Sequence, residues 1–152
     1  AELDKALELD PNFVPAHLNR IHVYLAKSMF KEALAELEWA LPFFQPLSTA
    51  MKAEAGAVYA ASGRIEEAKQ ILRESEEASA HECAEDVNHR ALAMIHLKLG
   101  SKNRAFEWLE KGFKAHTITP FQVILYPFFD EITSDPRFEE LMNKAIGSFG
   151  TR

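Results

Sequence analysis

A frame of four residues recurs along this chain. Tyr24, Ser28, Ala33 and Leu37 are followed by Tyr59, Gly63, Ala68 and Leu72, then by His96, Gly100, Ala105 and Leu109, at intervals of 35 and 37 residues. Self-similarity at that period marks an array whose unit is a helix-turn-helix. A single helical hairpin cannot bury its own apolar stripe, so each unit needs a neighbour, and stability becomes a sum of unit and interface contributions.

The period places the first helix of each unit over 15–27, 48–61 and 86–99, and the second over 30–41, 64–78 and 102–115. Gly63 and Gly100 fall just past a periodic segment, where a helix end needs a residue tolerant of positive φ, and Ser28 takes that place in the first unit. Pro15 suits a first helical turn, while Pro42 and Pro46 interrupt helix between the first two units. Ala33, Ala68 and Ala105 lie early in the second helices, where a small side chain lets the paired helix come close. Leu34, Leu37 and Leu41, then Ile71 and Leu72, then Phe106, Leu109 and Phe113 form the apolar stripe.

Composition fits a folded protein: of 152 residues, 47% are hydrophobic and 26% charged, with only 6 Gly and 7 Pro. No apolar run approaches the length of a membrane span, and the N-terminus lacks the basic start and apolar core of a signal peptide. Cys83 is the single cysteine, so no internal disulfide forms, and a cytoplasmic location is the expectation. The whole net charge of −6 lies in residues 66–86, which hold eight acidic and two basic residues. Without a basic stripe, nucleic-acid binding by this segment is not expected; the acidic stretch reads as a solvated helix face.

Here the residues carry a resemblance. The hairpin period, the Tyr59, Gly63, Glu67-Ala68 core and the Ala-Leu-Glu-Leu-Asp-Pro ending at 6–11 resemble a tetratricopeptide repeat protein. Unit two matches best, with Gly56 at the family's small helix-contact position. Unit one carries Ile21 there, and unit three has His96 for tyrosine and Arg104 for the usual acid, departures expected to loosen those hairpins. The resemblance implies an all-α fold, a right-handed α-solenoid of antiparallel hairpins with a C-terminal helical cap. It forms one domain over 1–152: a half repeat at 1–11, repeats at 14–47, 49–82 and 86–119, and a cap at 120–152.

The half repeat implies a preceding helix outside this sequence. The stretch Ser134 to Phe138 resembles the ending of many bacterial proteins in which such an array follows a regulatory domain, such as a winged-helix regulator, a nucleotide cyclase or a protein kinase. Ser134 or Asp135 would cap the last helix, with Pro136 in its first turn. Phe121, Ile124, Phe128, Phe129, Phe138, Leu141 and Met142 are expected to cover the open end of the last hairpin.

Catalytic chemistry finds little support. The 6 glycines are scattered and form no phosphate-cradling loop, and no Gly-x-Ser-x-Gly elbow is present. Cys83 sits among carboxylates that disfavour a thiolate. His81, Cys83, His89 and His96 are zinc-ligand types, but their spacing is weak and the repeat register makes His89 and His96 packing residues. The pairs Glu66-Glu67, Glu76-Glu77 and Asp130-Glu131 point to different sides of a helix and read as surface charge. No enzyme, metal or cofactor is therefore expected.

The resemblance also implies a concave groove lined by the first helices. Its register selects Leu18, Asn19, His22 and Leu25 in unit one, Ala53, Glu54 and Ala57 in unit two, and Arg90, Met94 and Lys98 in unit three. Small residues leave room for a helix or an extended segment, and methionine adapts to apolar anchors. The chaperone-tail clamp of the family is not matched, since its positions hold Leu18, His22, Glu54, Val87 and Ala91. The expected function is a non-catalytic scaffold binding a protein or peptide, serving a larger regulatory protein. The alternative is self-association, or a groove filled by the protein's own chain.

Overall fold

The computed structural model describes residues 2–43, 47–79 and 87–149, and the described chain is helical, with no strand. It forms two compact units, Ala1–Leu47 and Ser48–Arg152. In the first, α1 (Glu2–Leu9) packs on α2 (Val14–Ala26), α2 pairs with α3 (Phe30–Ala40), and α3 runs on into a 3₁₀ turn at Leu41–Phe43. In the second, α4 (Thr49–Ala61) pairs with α5 (Ile65–Ser79), and α6 (His89–Lys98) pairs with α7 (Lys102–Lys114). The chain ends with α8 (Pro120–Leu125), a 3₁₀ segment (Pro127–Ile132) and α9 (Pro136–Phe149).

The recurring frame has a backbone cause. Ser28, Gly63 and Gly100 adopt φ of +57°, +83° and +77°. That left-handed step lets the next residue donate its N–H back to the first frame residue: Met29 to the Tyr24 carbonyl at 2.8 Å, Arg64 to Tyr59 at 2.9 Å and Ser101 to His96 at 2.8 Å. The frame therefore encodes a helix stop as well as a packing position. His116, with φ of +55°, ends α7 in the same way, and Thr117 donates to the Gly112 carbonyl at 3.0 Å.

Packing follows the small residues. Ala33, Ala68 and Ala105 have no exposed surface, as their place at the helix contacts requires. In α4, Ala53, Ala55, Gly56, Ala57, Val58 and Ala60 are all buried, because α5 and α6 lie against different sides of the helix. α6 is buried at every position from Ala91 to Leu97, the mark of an interior helix. Ser48 and Asn88 cap α4 and α6 by accepting the N–H groups of Met51 (3.3 Å) and Ala91 (3.1 Å).

The ending differs in part from expectation. Phe128, Phe129 and Met142 are buried and Phe138 and Leu141 half-buried, but Phe121 and Ile124 are 70% and 67% exposed. The reason is local. α8 stops where Tyr126 turns extended (φ −99°, ψ 118°) ahead of Pro127, so only one side of this short helix meets the core, through Val123. Asp135, not Ser134, caps the final helix, accepting the Arg137 N–H at 3.1 Å.

Candidate functional site

Each first helix presents a different surface at the positions the repeat register selects. On α2, Asn19 is exposed and Leu18 and His22 are half-buried, while Leu25 is completely buried. Leu25 is thus a core residue and not a groove residue. Val23, one turn from Asn19, is 39% exposed and adds apolar surface that the register did not select.

In the second unit the expected groove is closed. Ala53, Ala57 and Met94 are no more than 1% exposed, which corrects the expectation that they face solvent. The cause is the packing of α4 on α6 and of α6 on the 3₁₀ segment. Across these elements runs a ladder of side chains at positions 54, 90 and 126, which are 36 residues apart. The Arg90 guanidinium donates to Glu54 Oε2 at 2.8 Å and lies 4.7 Å from the centroid of the Tyr126 ring. Asn88 donates to the same Glu54 oxygen at 3.0 Å and Arg90 reaches Met94 Sδ at 3.5 Å. Eight residues along, Lys98 sits 5.0 Å from the ring of Phe128.

Burial opposes the charge on Arg90, but the Glu54 carboxylate more than offsets it, and the guanidinium stays charged. Burial raises the Tyr126 hydroxyl pKa, partly countered by Arg90, so the ring remains a neutral phenol. The pair ties α4 to α6 beneath the Tyr126 ring.

A second polar cluster centres on Glu76, near the end of α5. Its Oε1 accepts from His96 Nε2 (3.1 Å), Arg104 (2.9 Å) and Trp108 Nε1 (3.2 Å). Burial pushes the Glu76 carboxyl up, but the His96 and Trp108 hydrogen bonds outweigh it and hold the group below the usual carboxylate range. Glu76 is therefore not the surface charge that its Glu77 neighbour suggests. The two departures of unit three, His96 and Arg104, meet on one oxygen of the preceding hairpin. Two unusual residues in one unit were the available signal for a shared partner.

A third cluster lies within the first unit. His17 stacks on Trp39 with centroids 3.6 Å apart, bonds Glu36 through Nδ1 at 2.5 Å and meets the Pro11 carbonyl through Nε2 at 3.0 Å. Arg20 bridges Glu36 (3.3 Å) and the Tyr24 hydroxyl (2.7 Å).

His89 is buried beside Trp108 and paired with the Thr117 hydroxyl at 2.9 Å. Desolvation lowers its pKa from the ordinary 6.5. His81 and Cys83 lie outside the described residues. Among the described residues, no group of three metal-ligating side chains converges, and no helix is long and apolar enough to cross a membrane.

A cleft of about 430 Å³ runs between α7 and α9 over Phe106 and Leu141. Its rim acids are already paired: Glu107 with Arg104 at 2.5 Å, Glu110 with Lys114 at 3.0 Å and Glu140 with Lys144 at 2.6 Å. Among the described residues, exposed apolar side chains include Val23 on α2, beside exposed Asn19, and Phe121, Ile124 and Leu125 on α8. Compared with known proteins, the chain matches no family model, no curated protein and no solved structure.

Proposed function

We propose that this protein is a non-catalytic, tetratricopeptide-like scaffold, a right-handed solenoid of helical hairpins that binds a protein or peptide segment within a larger regulatory protein. The observation that carries the reading is the contrast among the first helices. On α4 and α6 the equivalent surface is taken up by packing and pairing, with Ala53, Ala57 and Met94 buried and half-buried Glu54 and Arg90 bonded to each other, whereas α2 keeps Asn19 and Val23 exposed beside half-buried Leu18 and His22. Asn19 supplies both a donor and an acceptor for a backbone amide, and Val23 and Leu18 supply apolar contact. A helix already held by its hairpin loses little entropy on capturing a segment.

The test is selection from a random displayed-peptide library against the folded chain. Selected peptides should lose at least about tenfold in affinity for Asn19→Arg and for Val23→Glu. Circular dichroism of both variants should match the parent. Selection without enrichment, or binders indifferent to both changes, would remove the α2 assignment.

A second reading is favoured by Tyr126 over Arg90 and by the full burial of Met94. In it the groove of the second unit is filled by the protein's own 126–132 segment, and the array serves to hold other parts of its own chain in place.

A further inference from the structure

We propose that the exposed apolar side of α8 is an interface between two copies of this chain. Phe121, Ile124 and Leu125 stand three and four positions apart, so they share one side of the helix, and they are 70%, 67% and 49% exposed. α9, which packs on α8, carries a further exposed apolar side chain, Ile146 at 57%. An aromatic ring buries roughly 150–250 Å² and the aliphatic side chains somewhat less, so these four residues leave on the order of 400 Å² of apolar surface in water. A two-fold pairing of that surface covers about 800 Å² from these side chains alone, and their polar rim brings the total toward the roughly 1,200 Å² at the lower end of specific interfaces.

Charge selects the occupant. The net charge of −6 lies in residues 66–86, so two copies repel where those acidic stretches approach each other. Among the described α-helices, α8 is the one without Asp, Glu, Lys or Arg. A basic partner would be drawn to the acidic α5, where Glu66, Glu67, Glu74 and Glu77 are exposed, and not to an uncharged patch. An uncharged apolar face is self-complementary under a two-fold axis, since like meets like without penalty.

The helix is also preorganised. Thr119 and Gln122 form a reciprocal capping box at its start, Val123 anchors it inward, and Pro127 follows its end. Ordering entropy lost on pairing is correspondingly small. No residue here belongs to the α2 face, so this inference stands or falls separately from the proposed ligand-binding surface.

Sedimentation equilibrium of the full chain, from about 1 µM to about 1 mM, reads the association directly. A monomer–dimer equilibrium is expected, strengthening with added salt as repulsion between the acidic copies is screened. Ile124→Glu should weaken it at least about tenfold, while Leu9→Glu, at an 88% exposed site in the other unit, should leave it unchanged. Both sites are exposed, so the variants should keep their helicity. Mixing Ile124→Glu with Ile124→Lys chains should restore association through opposite charges across the axis. A parent chain that stays monomeric throughout, or a dimer that survives Ile124→Glu, overturns the proposal.

Discussion

Glu76, near the end of α5, accepts the Nε2–H of His96 on α6 at 3.1 Å, and so joins the second helix of one hairpin to the first helix of the next. The same oxygen holds Trp108 and Arg104. Glu76→Ala leaves the buried Trp108 and His96 donors without an acceptor, and should cost about 2–4 kcal/mol by urea denaturation. Glu76→Gln keeps an oxygen in place and should cost about 1 kcal/mol. Equal losses for the two variants would show that the hydrogen bonds are not what Glu76 contributes.

The buried Arg90–Glu54 pair makes an asymmetric forecast. Removing one partner strands a desolvated charge, so Glu54→Ala should destabilise by about 3–5 kcal/mol. Replacing both, with Glu54→Leu and Arg90→Met, should recover most of that loss, because apolar side chains of similar volume carry no stranded charge. Thermal or chemical unfolding of the two singles and the double completes the cycle, and additive losses would refute the coupling.

Two glycines should fail for different reasons. A Cβ on Gly56 would stand 2.8 Å from Ile71 Cγ2 and 2.9 Å from Ile95 Cδ1, forcing α4 from both neighbours. Overpacking of about 1–3 kcal/mol then exceeds the roughly 1 kcal/mol gained in helix propensity. A Cβ on Gly63 meets nothing within 4 Å, but its φ of +83° is strained for an L side chain. Gly63→Ala should cost about 1–2 kcal/mol without altering the core. Crystal structures of both variants would show shifted helices in the first and an unchanged core in the second.

His89 gives a pH dependence of known sign. Its folded pKa lies below the ordinary 6.5 through desolvation, so the unfolded chain binds its proton first as pH falls. Its contribution is fully present above 6.5 and is lost as pH falls toward the folded value. The imidazole resonance should titrate below 6.5 in NMR, and His89→Gln should flatten the corresponding part of the stability curve. A midpoint above the ordinary value would contradict the burial argument.

The hairpins were legible because their signals are local. Apolar spacing fixes the side of a helix that packs, and Ser28, Gly63 and Gly100 mark where each helix must stop. The groove was much less legible. Periodicity gives the rotation of a helix about its own axis, but not which later element comes to lie on it. Ala53, Ala57 and Met94 looked open for that reason, and α6 and the 126–132 segment bury them. Phe121 and Ile124 failed in the opposite direction, because α8 turns Val123 inward and leaves the side that carries them in water. Glu76 was hidden by its neighbour Glu77, since adjacent charges look alike in sequence although one points inward.

The ladder through Glu54, Arg90 and Tyr126 has a bearing on how such a chain can evolve. Repeat arrays grow and shrink by duplication, deletion and exchange of whole units, which is harmless when every junction is equivalent. Here the junctions are individual: an acid meets a base, and the base meets a ring. A hairpin copied or moved as a block would place Arg90 against a neighbour with no carboxylate to receive it. Exchange of that hairpin as a block should therefore cost more stability than a point substitution outside the ladder.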